Sequence, residues 1–246
     1  MPTAFFDNEL CRLRESLTQM GGAVERMLDT ALSALRSGDL ALADQAIFLD
    51  KEINAFDNRI TNKTILLIAT NQPVAGDLRF LAASLKMAGE LERIGDLSAN
   101  LARRAKGLAA ADARAALPED LDELIIMARN MLSYALDSFA NRNVDKARQV
   151  LEMDDIVDDL NRQVRQLMVE AVAKDGPLIH WGLEVINTAA HLERLGDHAT
   201  NLAEEVIYIN SGRNVRHCGP PSAAVPAPAA EDLEGRDHTD REDLED

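Results

Sequence analysis

Cysteine is nearly absent: Cys11 and Cys218, near opposite ends, are the only two in 246 residues. This excludes a disulfide framework and a thiolate metal site. Aromatic residues make up 4% of the chain, and between Thr3 and His217 the only prolines are Pro73, Pro118 and Pro177. With few helix breakers, few alternating β-branched runs, and Ala and Leu abundant, the composition favours helix throughout. Positive charge is also short, since 26 Lys and Arg face 42 Asp and Glu, a formal charge of −16. Nucleic acid and anionic lipid both demand a concentrated cationic surface, so neither is an expected partner. Metal cations, or proteins with basic patches, remain. The notable apolar run Ile65-Leu66-Leu67-Ile68-Ala69 falls far short of the ~18 residues that suggest a membrane span. The opening MPTAFFDNELCRLR lacks the apolar stretch of a signal peptide. A soluble, cytoplasmic protein is expected.

The punctuation predicts six helices. The first runs from about residue 5 to 36 and stops at Ser37-Gly38, with Asp39 placed to cap the next. Gly21-Gly22 marks a kink within it. The second covers about 40–70, ended by Asn71-Gln72-Pro73, and the third continues to about Lys106, where Gly107 can end it. Residues 108–117 read as a connection, because Pro118-Glu119-Asp120 restarts a helix. Helix four reaches about 140, helix five covers about 145–174, and helix six follows Asp175-Gly176-Pro177 and ends near 210.

The six helices are two copies of three. Met27-Leu28-Asp29-Thr30-Ala31-Leu32 returns 104 residues later as Met131-Leu132-Ser133-Tyr134-Ala135-Leu136, and Pro73 returns as Pro177 in the same register. Leu91-Glu92-Arg93-Ile94-Gly95-Asp96 returns as Leu192-Glu193-Arg194-Leu195-Gly196-Asp197 at an offset of 101, followed by Asn100-Leu101-Ala102 as Asn201-Leu202-Ala203. An internal duplication follows. The expected architecture is all-α, two tandem three-helix bundles over residues 1–107 and 118–217. Residues 218–246 are Pro-rich and then acidic, with nine acids against two arginines; a tail of this composition is expected to be disordered.

Glu92, Asp96 and Asn100 fall at about 0°, 40° and 80° around a helix, one oxygen-bearing stripe. Leu81, Leu85, Ala88 and Ala99 project to the same side, so the stripe borders the buried face. Glu193, Asp197 and Asn201 repeat it, beside Ile186, Ala189 and Thr200. Gly95 and Gly196 leave room for a neighbouring helix or an ion. Acids four apart repel, and partly buried ones require a counter-charge. Arg93 and Arg194 project about 100° away, better suited as neighbours than as direct neutralisers. A cation would offset the repulsion: carboxylates and amide carbonyls are hard oxygen ligands for magnesium, manganese or iron. The bland alternative is a solvated, salt-bridged face, which single ExxxD pairs commonly are; the duplication favours the cation. On helices two and five, Asp50 and Asp57 share a face with Ile53 and Ile60, and Asp154 and Asn161 occupy the corresponding places. They could complete the ligand shells, or simply edge a core stripe.

Other residues carry less. His198 points about 100° from Asp197, which reads as a surface or helix-packing histidine, and Trp181 as core. No ExxH pair occurs on these helices, against a ferritin-like di-iron oxidase. HExxH, GxxxxGK[ST], GxSxG and CxxC are all missing, which removes the usual signatures of metalloproteases, P-loop NTPases, α/β-hydrolases and dithiol redox proteins.

Over about residues 5–217 the chain resembles the PhoU family of bacterial phosphate-signalling regulators. The carriers are Gln72-Pro73-Val74-Ala75-Gly76-Asp77-Leu78-Arg79, the paired LERIGD and LERLGD blocks, and the ending from Ile207-Tyr208-Ile209 to Arg216-His217. The acidic extension beyond His217 departs from the family pattern. The resemblance implies two bundles related by pseudo-two-fold symmetry, with metal ions at Glu92 with Asp96 and at Glu193 with Asp197. The ion expected there is magnesium, manganese, iron or zinc. It implies signalling without catalysis, linking the ATPase subunit of the phosphate ABC transporter to a sensor histidine kinase and restraining the starvation response when phosphate is plentiful. A homodimer, recruited to the inner face of the membrane by its partners, is the expected form. A metal-dependent enzyme using carboxylate-bound ions and a metal-free helical scaffold are the competing readings.

Overall fold

The computed structural model describes residues 4–111 and 117–212. The expected disordered tail lies outside the described residues, as do residues 112–116 of the 108–117 connection. Six α-helices fill the described chain: α1 (Ala4–Ser37), α2 (Leu40–Asn71), α3 (Ala75–Ala110), α4 (Glu119–Ala140), α5 (Val144–Lys174) and α6 (Ile179–Ser211), with a 3-10 turn at Gly176–Leu178 before α6. No strand occurs among the described residues.

Local chemistry sets the helix ends. The Asp39 carboxylate accepts from the N–H groups of Ala41 and Leu42, which caps α2 as expected. Asn143 caps α5 through the N–H of Lys146. Gly38 and Gly212 take left-handed φ values of 68° and 69° just past α1 and α6, where glycine carries no Cβ penalty. Two expectations fail. Gly107 does not end α3, which continues to Ala110; the run Leu108-Ala109-Ala110 has strong helix propensity, and the space a Gly107 side chain would occupy is taken by the Glu184 carboxyl. Helix α1 is continuous through Gly21-Gly22. The glycine serves a neighbour instead: a Cβ on Gly21 would lie 2.5 Å from Leu136 Cδ2 of α4.

Helices α2 and α5 are the outer members of their repeats. The buried residues of α2, Ala43, Ala46, Ile53, Ile60, Thr64 and Leu67, form a narrow stripe, because α2 packs only on α1 and α3. The inner helices meet across the seam between repeats, α1 on α4 and α3 on α6. Each inner helix therefore packs on its own counterpart. One continuous apolar core runs through both repeats, with Met27, Leu28, Leu91, Met131, Leu132 and Leu192 almost wholly buried. Trp181 joins this core, as expected.

Candidate functional site

The site is built by α2 on α3 in the first repeat and α5 on α6 in the second. At Gly95 α2 packs tightly on α3: a Cβ there would meet Ile53 Cγ2 at 3.1 Å. In the second repeat Gly196 receives Val157 Cγ1 at 3.3 Å and Met131 Sδ at 3.3 Å. Ile53 and Val157 are register equivalents, as are Gly95 and Gly196. Each apolar side chain seated on a glycine brings the acids on either side of it to the stripe on the neighbouring helix. Asp50 and Asp57 flank Ile53, and Asp154 and Asp158 flank Val157.

These carboxylates are partly buried and lie close enough to act on one another's charge. Partial burial raises the pKa of Glu92, and the charges of Asp96, Asp57 and Asp50 raise it further against the opposing effect of Arg93. Asp50 is likewise raised by burial and then by Asp96. In the second repeat burial, followed by Asp197 and Asp158, raises Glu193. Burial and Asp197 raise Asp154, and burial and Asp158 raise Asp197. Raised carboxylate values mean that negative charge on these groups is under-compensated.

The two clusters differ in their counter-charges. Arg93 lies 3.4 Å from Glu92 and 3.3 Å from Asp96. This corrects the expectation from its projection angle, because a long guanidinium side chain can reach back along the helix surface. Among the described residues no ion pair engages Asp154, Glu193 or Asp197. The amides are engaged too: Asn100 Oδ1 accepts from Arg103 at 2.6 Å, and Asn201 Nδ2 donates to Glu90 Oε2 at 3.3 Å. Asn54 donates to Asp50 at 3.0 Å and Thr200 to Asp154 at 3.2 Å. Asn161, the register equivalent of Asp57, is 7% exposed, and its Oδ1 has no hydrogen-bond partner.

As a metal site the donor chemistry fits: each cluster offers several oxygen ligands and lacks sufficient positive charge. The side chains do not form a finished cage, since among the described residues no three of the His, Cys, Asp and Glu groups are placed to hold one ion together. A cation would draw the carboxylates inward by rotamer changes.

Two participants escaped the sequence reading. Asp158 lies one helical turn beyond Asp154, and the i, i+4 spacing was the available signal. Glu90 accepts from Asn201 and holds His198 Nδ1 at 2.6 Å across α3 and α6. His198 is thus a cross-repeat contact. A cleft of about 530 Å³ beside the first cluster is lined by Asp57, Glu92, Arg93, Glu90 and His198, so this cluster borders the seam.

The fold is a duplicated three-helix bundle carrying one carboxylate cluster per repeat. The PhoU domain model matches residues 17–105 and 121–206, and the chain belongs to the PhoU family. It is 36% identical over 211 residues to the phosphate-specific transport system accessory protein PhoU homolog of Rhizobium meliloti (strain 1021), covering 84% of this chain and 87% of the relative. It is 31% identical over 211 residues to PhoU homolog 1 of Thermotoga maritima, covering 86% and 91%. The crystal structure of PhoU from Pseudomonas aeruginosa is similar at a TM-score of 0.82 and 34% identity, covering 85% of this chain and 100% of that one. The phosphate transport system regulatory protein PhoU from Streptococcus pneumoniae is similar at a TM-score of 0.78 and 28% identity, covering 85% and 99%. Among the described residues no helix is long and apolar enough to cross a membrane.

Proposed function

We propose that this protein is a non-catalytic, metal-binding regulator of phosphate transport. It works in the cytoplasm and is recruited to the inner face of the membrane by its partners. Those partners are the ATPase subunit of the phosphate ABC transporter and a sensor histidine kinase; a second copy of the chain completes a homodimer. When phosphate is plentiful, the protein restrains uptake and keeps the kinase inhibited. The observation that carries this reading is the repeated, under-neutralised carboxylate cluster in a chain of the PhoU family. The names of its relatives, accessory and regulatory proteins, support a role without catalysis.

Asp50, Glu92 and Asp96, with Asn100 beside them, would hold the ion of the first repeat. Asp154, Glu193 and Asp197, with Asn201, would hold that of the second. A bound magnesium, manganese, iron or zinc ion supplies positive charge where these carboxylates repel one another.

The test pairs metal content per chain with a phosphate-starvation reporter in a deletion strain. Protein purified without chelator should carry metal that Asp96→Ala with Asp197→Ala largely removes, and the deletion should leave the reporter on in phosphate-replete cells. Wild-type protein that carries no metal, and gains no thermal stability from added Mg, Mn, Fe or Zn ions, overturns the metal reading. A normally repressed reporter in the deletion strain overturns the regulatory one.

A further inference from the structure

At the end of the seam far along the helices from either acidic cluster's glycine contact, a pocket of about 760 Å³ opens between the repeats. Arg14 of α1, Gly76, Asp77 and Phe80 of α3, Arg142 of the α4–α5 turn, and Ile209 of α6 are among its walls. The motif Gln72–Arg79 that marks the start of α3 therefore forms one side of a cavity. Its volume lies within the range of small-molecule sites.

The pocket holds unpaired positive charge. Arg14 is clamped with its guanidinium carbon 4.6 Å from the Phe80 ring centroid and 5.1 Å from that of Phe139. This stacking fixes its direction. Neither Arg14 nor Arg142 has a carboxylate within ion-pair distance among the described residues. Burial and then the charge of Arg142 lower the pKa of Arg14, with Cys11 acting weakly the other way. Arg142 itself holds a φ of 52°, an uncommon backbone for a long side chain, and such strain persists only where surroundings enforce it. In a chain with a net charge of −16, two neighbouring arginines line one cavity with no carboxylate in ion-pair contact with either among the described residues.

We propose that this pocket binds a phosphate-bearing anion, with the guanidinium groups of Arg14 and Arg142 as its principal ligands. Guanidinium matches phosphate oxygens with paired hydrogen bonds. Glu15 and Asp77 also line the cavity, and they would repel a fully ionised anion. A phosphate that retains a proton can donate it to a carboxylate while accepting from the arginines, which sulfate cannot do at neutral pH. The cavity exceeds a single phosphate, and Leu10, Phe80 and Ile209 supply apolar wall for the remainder of a phosphomonoester. Free phosphate and a phosphomonoester thus share the same recognition chemistry.

Calorimetric titration of the full chain tests this with inorganic phosphate, AMP and sulfate, each in the presence of chelator so that no metal-held phosphate contributes. Saturable binding of phosphate is expected for a free-anion site, and tighter binding of AMP for a phosphomonoester site; sulfate should bind more weakly than either. Arg142→Asn removes the charge while suiting the left-handed backbone, and should weaken binding about tenfold through loss of a charge-assisted contact. Arg14→Lys, which keeps the charge but not the planar fork, should weaken it as well. No saturable binding of phosphate or AMP overturns the proposal. So does binding that both variants leave unchanged, or sulfate bound as tightly as phosphate.

Discussion

Arg129 of α4 grips Asp29 of α1 across the seam with two parallel hydrogen bonds, Nε to Oδ1 at 2.7 Å and Nη2 to Oδ2 at 3.0 Å. In the 104-residue register Arg129 corresponds to Glu25, and Asp29 to Ser133. The symmetric counterpart of this contact would set a glutamate against a serine, so the ion pair exists on one side of the pseudo-two-fold only. Both side chains are about 40% exposed, and solvent screens them. A double-mutant cycle of Arg129→Ala and Asp29→Ala should give a coupling of roughly 0.5–1 kcal/mol in urea unfolding, shrinking at about 1 M salt. A coupling indifferent to salt contradicts this account.

The adjacent glycines of α1 should respond in opposite ways. A Cβ on Gly22 meets only Arg26 Nη1, at an ordinary 3.6 Å, so Gly22→Ala should stabilise by roughly 0.5–1 kcal/mol through helix propensity. Gly21→Ala must displace Leu136 and should destabilise by about 1 kcal/mol. In a Leu136→Ala background the obstacle is gone, and Gly21→Ala should become as favourable as Gly22→Ala. Chemical denaturation of the four variants decides it.

The acidic clusters make stability depend on pH in an unusual direction. Asp50, Glu92, Asp154, Glu193 and Asp197 all have folded pKa values above their ordinary 3.8 or 4.5. A raised folded value means the native state takes up protons before the unfolded chain does. Stability from these groups therefore rises as pH falls from neutrality through the folded values, and the gain is complete below the unfolded ones. Metal-free protein with Asp154→Asn and Asp197→Asn should show a smaller gain in thermal midpoint on mild acidification than the metal-free parent. An identical pH profile for the two proteins would refute the linkage.

Cations should act unequally on the repeats. Arg93 already sits on the first cluster, whereas the second has no ion pair at Asp154, Glu193 or Asp197 among the described residues. At one fixed concentration of Mn or Mg ions the tighter site adds more, roughly 2.7 kcal/mol where that concentration is about 100 times the site's Kd. Asp197→Asn should remove more of that gain than Asp96→Asn, and Arg93→Gln should strengthen binding at the first cluster. Thermal midpoints with and without cation read all three.

Much of the fold was legible because its signals are local. The Asp39 cap, the three interior prolines and the repeated LER blocks each act within a turn or two of sequence. Gly21 misled for the opposite reason: its purpose is to admit Leu136, 115 positions away, and nothing near it in sequence records that. The stripe Glu92, Asp96, Asn100 was visible from helical period. The reach of Arg93 was not, since side-chain length defeats an argument from projection angle. Asp158 was missed because it has no acidic counterpart at its register position in the first repeat, where Asn54 stands. The Arg14 and Arg142 pocket joins four elements from both repeats, and only the packed chain brings them together.

At the seam α1 meets α4 and α3 meets α6, like upon like. Two identical three-helix molecules would associate in this way around a two-fold axis. Held in one chain, that association no longer depends on protein concentration. The tether has a second effect. In a true homodimer every substitution appears twice, so an arginine and its aspartate partner must be tolerated in both copies. Here each copy varies alone, which is how Arg129 could meet Asp29 on one side of the axis while Glu25 and Ser133 stand on the other. The same freedom leaves one acidic cluster with an arginine in ion-pair contact and the other with Arg165 and Arg194 acting only from farther away, two unequal sites on one duplicated frame.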